Sequence, residues 1–89
     1  MTDLQRDILY LLRTPNAEFT VQRLDRALVQ RWDPATVVRG LLPALRELEA
    51  AGLVRSTEYA THGASHTLYR STDAGRRRAA AAATPGAAA

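Results

Sequence analysis

Residues 33–54, DPATVVRGLLPALRELEAAGLV, specify both ends and one face of a helix. Val38, Leu41, Leu45 and Leu48 recur at steps of three, four and three, which lays one apolar stripe along a helix. Leu42 widens that stripe to the breadth of a core-facing helix. Asp33 can accept from the free N–H groups of the first turn, and Pro34 falls where its missing N–H costs nothing. Gly52 suits the left-handed residue just past a helix, with Leu53 folding back onto Leu48. Thr36, Arg39, Gly40, Pro43, Arg46 and Glu47 are left for the other side. Pro43 removes a bond to the carbonyl of Arg39, at roughly 3 kcal/mol, and predicts a kink or loosened turn around Gly40 to Pro43.

A first helix, capped by Thr2 or Asp3, carries Leu4, Ile8, Leu11 and Leu12 inward as far as about Arg13. Leu9 and Tyr10 lie off its stripe, placed either to widen the core contact or to face a second subunit. Thr14-Pro15-Asn16 is turn chemistry. Glu18-Phe19-Thr20 is a short extended approach, and Thr20 caps a second helix to about Arg31. Val21, Leu24 and Leu28 point inward on that helix, and Gln22, Arg23, Arg26 and Gln30 outward. Trp32 closes the core at the junction.

Strand-like sequence follows the central helix directly. Residues 53–59 and 67–71 are rich in β-branched and aromatic side chains, around a small polar tip at 61–66. Thr72 or Asp73 then caps a last helix through Arg76, Arg77, Arg78 and an alanine run that Pro85-Gly86 ends. The expected fold is mainly α with a small β-hairpin. It is a winged helix-turn-helix with a three-helix core, a two-stranded wing and a short C-terminal helix. Residues 1–83 form one domain and 84–89 a disordered tail.

That architecture places the second helix of a helix-turn-helix in a DNA major groove, with the hairpin alongside. All twelve basic residues are arginine. Residues 1–50 balance seven arginines against seven acids, so residues 51–89 carry the whole net charge of +3, a weak pointer to a polyanion. Cysteine is absent, which removes disulfides and cysteine-based zinc sites. No apolar run approaches the ~20 residues needed to span a bilayer, and the chain is expected to be soluble and cytoplasmic. No phosphate loop, cysteine nucleophile or carboxylate pair with a base can be assembled, so no enzymatic activity and no cofactor are expected.

Arg39 and Arg46 share one outward face two turns apart, in line with Thr36 and Pro43, and guanidinium pairs bidentately with guanine or phosphate. Gly40 would let a phosphate or base edge approach the backbone. Thr20, Gln22 and Arg23 open the second helix, whose free N–H groups suit a phosphate. Arg76, Arg77 and Arg78 form the densest charge in the chain. They lie near a helix start, where the dipole disfavours them, and read as a solvated face or a contact to an anionic partner.

Residues 39–54, RGLLPALRELEAAGLV, resemble the recognition-helix signature of PadR-type transcriptional regulators. Residues 68–75, LYRSTDAG, resemble the second-strand and helix-start motif shared by PadR and MarR regulators. The two stretches cover about a quarter of the chain. The family pattern usually has a tyrosine where this chain has Leu42, and often a basic residue where it has Glu47. The resemblance implies a regulator bound to double-stranded DNA, with Thr36 and Arg39 on bases and Arg70 and Arg77 among further contacts. It also implies wing-tip contacts to phosphate from His62 and His66, with an effector left open; a homodimer is expected because one domain of this size gives too little DNA contact for a specific site. Leu9, Tyr10 and the alanine face of residues 79–83 are the candidate dimer surfaces. The alternative is a winged helix serving as a protein-interaction module in a larger assembly, which Glu47, Glu49 and Glu58 near the DNA-facing side keep open.

Overall fold

The computed structural model describes residues 1–82. The expected 84–89 tail and the Pro85-Gly86 helix end lie outside them. The order is α1 (Asp3–Leu11), α2 (Val21–Leu28), α3 (Pro34–Ala50), β1 (Val54–Thr61), β2 (Ala64–Ser71) and α4 (Asp73–Ala82). It is the winged helix-turn-helix expected from the sequence.

Local polar chemistry starts each helix. The Thr2 hydroxyl accepts from the Gln5 N–H at 3.1 Å, and the Gln5 side chain accepts from the Thr2 N–H at 2.9 Å, a reciprocal capping box. Thr20 accepts from the Arg23 N–H at 3.2 Å, and Asp33 from the Thr36 N–H at 3.2 Å. Thr72 opens α4, accepting from the Gly75 N–H at 3.0 Å. At the far end of α3, Gly52 has φ of 75°. The Leu53 N–H returns to the Leu48 carbonyl at 2.9 Å, and the Gly52 N–H to that of Glu49 at 2.9 Å. Helix and wing are therefore joined with almost no connecting chain.

Three helices and the root of the wing enclose one core. Ile8 and Leu9 of α1 and Leu12 just past its end meet Leu24 and Leu28 of α2 and Val37, Leu41, Ala44, Leu45 and Leu48 of α3. Val54 and Ala79 close it from β1 and α4. Trp32 packs against its edge as expected, its indole N–H donating to Asp7 Oδ2 at 2.7 Å.

Two expectations about α3 are corrected. Val37, not Val38, belongs to the inward stripe, with Val37 fully buried and Val38 75% exposed. Leu42 is 44% exposed and lies outside the core. The helix runs unbroken through Pro43, which is exposed, so the carbonyl it leaves unpaired is on the solvent side where water can serve it. Elsewhere, Leu9 and Ala79 are buried inside the monomer, which removes both from the candidate dimer surfaces; Tyr10 stays exposed. α2 ends at Leu28, short of Arg31, in turns that return Arg31 and Trp32 N–H groups to the Leu28 carbonyl.

The wing is longer and its tip tighter than expected. β1 and β2 pair antiparallel from Val54↔Ser71 to Thr61↔Ala64, leaving only His62 and Gly63 in the turn. Their φ values of 51° and 77° are the two positive angles that a type I′ hairpin turn needs. Phe19 adds to the other edge of β2, exchanging backbone bonds with Tyr69 at 3.0 and 2.8 Å. The root of β2 is fixed by the Ser71 hydroxyl, which donates to the Leu12 carbonyl at 2.6 Å.

Candidate nucleic-acid interface

On α3 the outward side follows from the core. With Val37, Leu41, Ala44, Leu45 and Leu48 inward, the 100° step per residue puts Arg39, Pro43 and Arg46 on the opposite side, all exposed. Arg39 has no hydrogen-bond or ion-pair partner among the described residues. Thr36 sits one turn earlier, its hydroxyl 3.4 Å from Asp33 Oδ2 and its backbone N–H held by the same carboxylate.

α2 starts beside this surface. The hydroxyl of Thr20 is occupied as an acceptor by its cap bond but keeps its own proton to donate. The Arg23 guanidinium lies over the Phe19 ring, 5.0 Å from its centroid, which holds it near the start of α2. Gln22 is exposed and lines a shallow groove with Val21 and Asp25 of α2 and Val38 and Leu42 of α3.

Gly40 is not on the outward side. A Cβ there would lie 2.9 Å from Leu4 Cδ2, so the missing side chain makes room for α1 and not for a phosphate or a base. Glu47 also faces α1, accepting from Gln5 Nε2 at 2.6 Å. That bond takes one of the three glutamates away from the outward surface.

The two faces of the wing differ. Ser56 and Tyr69 look toward the end of α3, where the Ser56 hydroxyl donates to Glu49 at 2.8 Å. Burial pushes the Tyr69 phenol above its usual range; Glu49 and Glu58 add to the rise and Arg46 opposes it. Arg46 is thus near the wing root as well as on the outward side of α3.

The opposite face carries Arg55, Thr57 and Tyr59 across from Arg70, Leu68 and His66. His66 belongs to β2, not to the tip, and stacks on Tyr59 at 5.2 Å. Only His62 occupies the turn. Arg70 sits directly opposite Arg55, and the two share a shallow hollow with Arg76 and Thr72. This hollow is separate from the Arg39 surface. Arg76 is engaged structurally, paired with Asp73 and donating to the Ser71 carbonyl at 3.0 Å. Arg77 is exposed on α4. Among the described residues no group of three or more His, Cys, Asp or Glu could hold a metal ion, and no helix is long and apolar enough to cross a membrane.

The sequence reading missed the exposure of Val38 and Leu42 and the facing of Arg55 with Arg70. The first had a signal in Gly40 and Ala44, small residues four apart that mark where another helix comes close and so turn the stripe toward Val37. The second follows from the pairing register, which only the tight turn sets.

No family model matches the chain, and no curated protein matches it in sequence. Solved structures do match it in fold. Bacillus subtilis PadR in complex with operator DNA is 20% identical with a TM-score of 0.75, covering 94% of this chain and 48% of that one. A double mutant of Lactococcus lactis ZitR is 24% identical with a TM-score of 0.70, covering 99% and 54%. A PadR-family transcriptional regulator from Eggerthella lenta is 22% identical with a TM-score of 0.69, covering 97% and 78%. The chain thus spans about half the length of the PadR and ZitR chains. At these identities the likeness is one of fold.

Proposed function

We propose that the chain is a DNA-binding transcriptional regulator of the winged helix-turn-helix type, with α3 in the major groove and the wing along the backbone. The observation that carries this reading is Arg39, without a partner among the described residues, on the outward side of α3 beside the capped start of α2. A fold shared with PadR, whose structure holds operator DNA, supports it. In this reading Thr36 and Arg39 contact bases, while Thr20, Gln22, Arg23 and Arg46 position the duplex through phosphates. His62 at the turn meets the backbone. His66, Arg70 and Arg77 lie on other surfaces and contribute at most long-range attraction. The chain is read as a non-enzymatic, cytoplasmic protein. Two copies bind together, because one domain of this size gives too little contact for a specific site. Tyr10 and the exposed Ala80 and Ala81 of α4 are the candidate positions left for that pairing.

The test is a set of titrations with two DNAs, a selected site and a random duplex, at two salt concentrations. Arg39→Ala should lose about 1–3 kcal/mol on the selected site and much less on random DNA. Replacing Arg77 should leave the preference for the selected site unchanged. Equal loss on both DNAs from Arg39→Ala would remove the base-reading role. A second reading, a protein-interaction module, is favoured by the exposed Val38 and Leu42, and predicts no preference between the two DNAs.

A further inference from the structure

We infer that Val38 and Leu42 form an apolar ridge that reads thymine 5-methyl groups in the major groove, an inference that rests on the DNA reading above. Val38 is the most exposed of the large apolar side chains, and Leu42 lies one turn along on the same side of α3. Together they wall a groove whose floor is Val37 and Leu41 and whose other side is Val21, Gln22 and Asp25 of α2. Neither side chain belongs to the core, and the apolar surface they leave exposed adds nothing to folding.

Size and charge choose the occupant. The ridge is two side chains, against the 20–30 residues a side that a stable protein interface uses, roughly. Arg39 follows Val38 in the chain, Arg46 lies one turn beyond Leu42, and Arg23 stands on α2. Asp25, partly buried, is the one carboxylate lining the groove. A narrow apolar strip flanked by guanidinium groups complements a surface that is anionic at its rims and carries isolated methyl groups on its floor. The major groove has that form, and thymine supplies its only methyl group.

Deoxyuridine tests this directly, because it removes the methyl and keeps the base pair and the O4 acceptor. A duplex library selected with the 89-residue chain gives the best site, and each thymine in it is replaced singly by deoxyuridine. The wild type should lose about fourfold in affinity at one or two thymines, the worth of one buried methyl group. Val38→Ser and Leu42→Gln, both at exposed positions and checked by thermal melting, should each abolish the loss at one of those thymines. Selected-site binding that ignores every deoxyuridine would overturn the ridge while leaving the DNA reading intact. A deoxyuridine effect that persists in both variants would assign methyl contact to another residue and overturn it as well. A library that enriches no sequence would remove the DNA reading, and the ridge with it.

Discussion

The indole N–H of Trp32 donates to Asp7 Oδ2 at 2.7 Å, tying the residue before the α3 cap to the middle of α1. Both groups are partly buried, so the bond is screened less than a surface pair and its donor has few alternatives. Asp7→Ala leaves that donor without a protein partner and should cost about 1–3 kcal/mol. Trp32 is the only tryptophan, so its fluorescence reports both the loss of stability in a denaturant titration and the changed surroundings of the ring.

Val37 and Val38 are the same residue type in adjacent positions with opposite fates. Val37→Ala removes two methyl groups from a sealed site and should cost roughly 2 kcal/mol, lowering the melting temperature of so small a domain by about 8–16 °C. Val38→Ala should stay within about 0.5 kcal/mol. Thermal melts of the pair decide it, and a reversed order would return the inward stripe to Val38.

Two glycines give a second contrast. A Cβ on Gly75 would sit 1.9 Å from the Leu53 carbonyl oxygen, which is backbone and fixed by the Gly52 turn. Gly75→Ala must push α4 away and should cost about 3 kcal/mol or more. A Cβ on Gly40 meets only the end of the Leu4 side chain, and alanine's better helix propensity, worth about 1 kcal/mol, offsets the repacking. Gly40→Ala should therefore be near neutral in chemical denaturation.

Tyr69 sets an alkaline limit. Its folded pKa is raised, so the unfolded chain ionises first, and the stability it contributes is present below the unfolded value of about 10 and lost as pH rises through the folded one. The chain contains no lysine or cysteine to titrate in that range. Stability should fall above about pH 10, and Tyr69→Phe should flatten part of the fall in melts taken across pH 9 to 11.

What could be read in the sequence is what short-range chemistry decides. Asp33 with Pro34 and Gly52 with Leu53 mark the ends of α3, and each acts within four residues, so both ends lie where the sequence puts them. The rotation of α3 about its axis was harder to read, because Val37 and Val38 offer the same side chain 100° apart and only the small residues Gly40 and Ala44 point to the α1 packing that decides between them. The wing tip was overestimated because small polar residues suit both a loop and an exposed strand. His62 tolerates the left-handed region better than most residues and Gly63 adopts it freely, so Ala64, Ser65 and His66 stay paired. At the candidate interface, Arg39 was legible from helical period alone. The turn of Gly40 toward Leu4, and of Arg70 toward Arg55, depends on contacts between distant parts of the chain.

The two-residue turn and the Gly52 junction together make the wing a ruler. With no slack at its root and none at its tip, the distance from the end of α3 to His62 is set by the eight paired residues of each strand. Adding or removing residues one at a time would turn every side chain of the wing to the other face. Changes of two per strand keep the faces and move the tip by about 7 Å, a step close to two base pairs along a duplex.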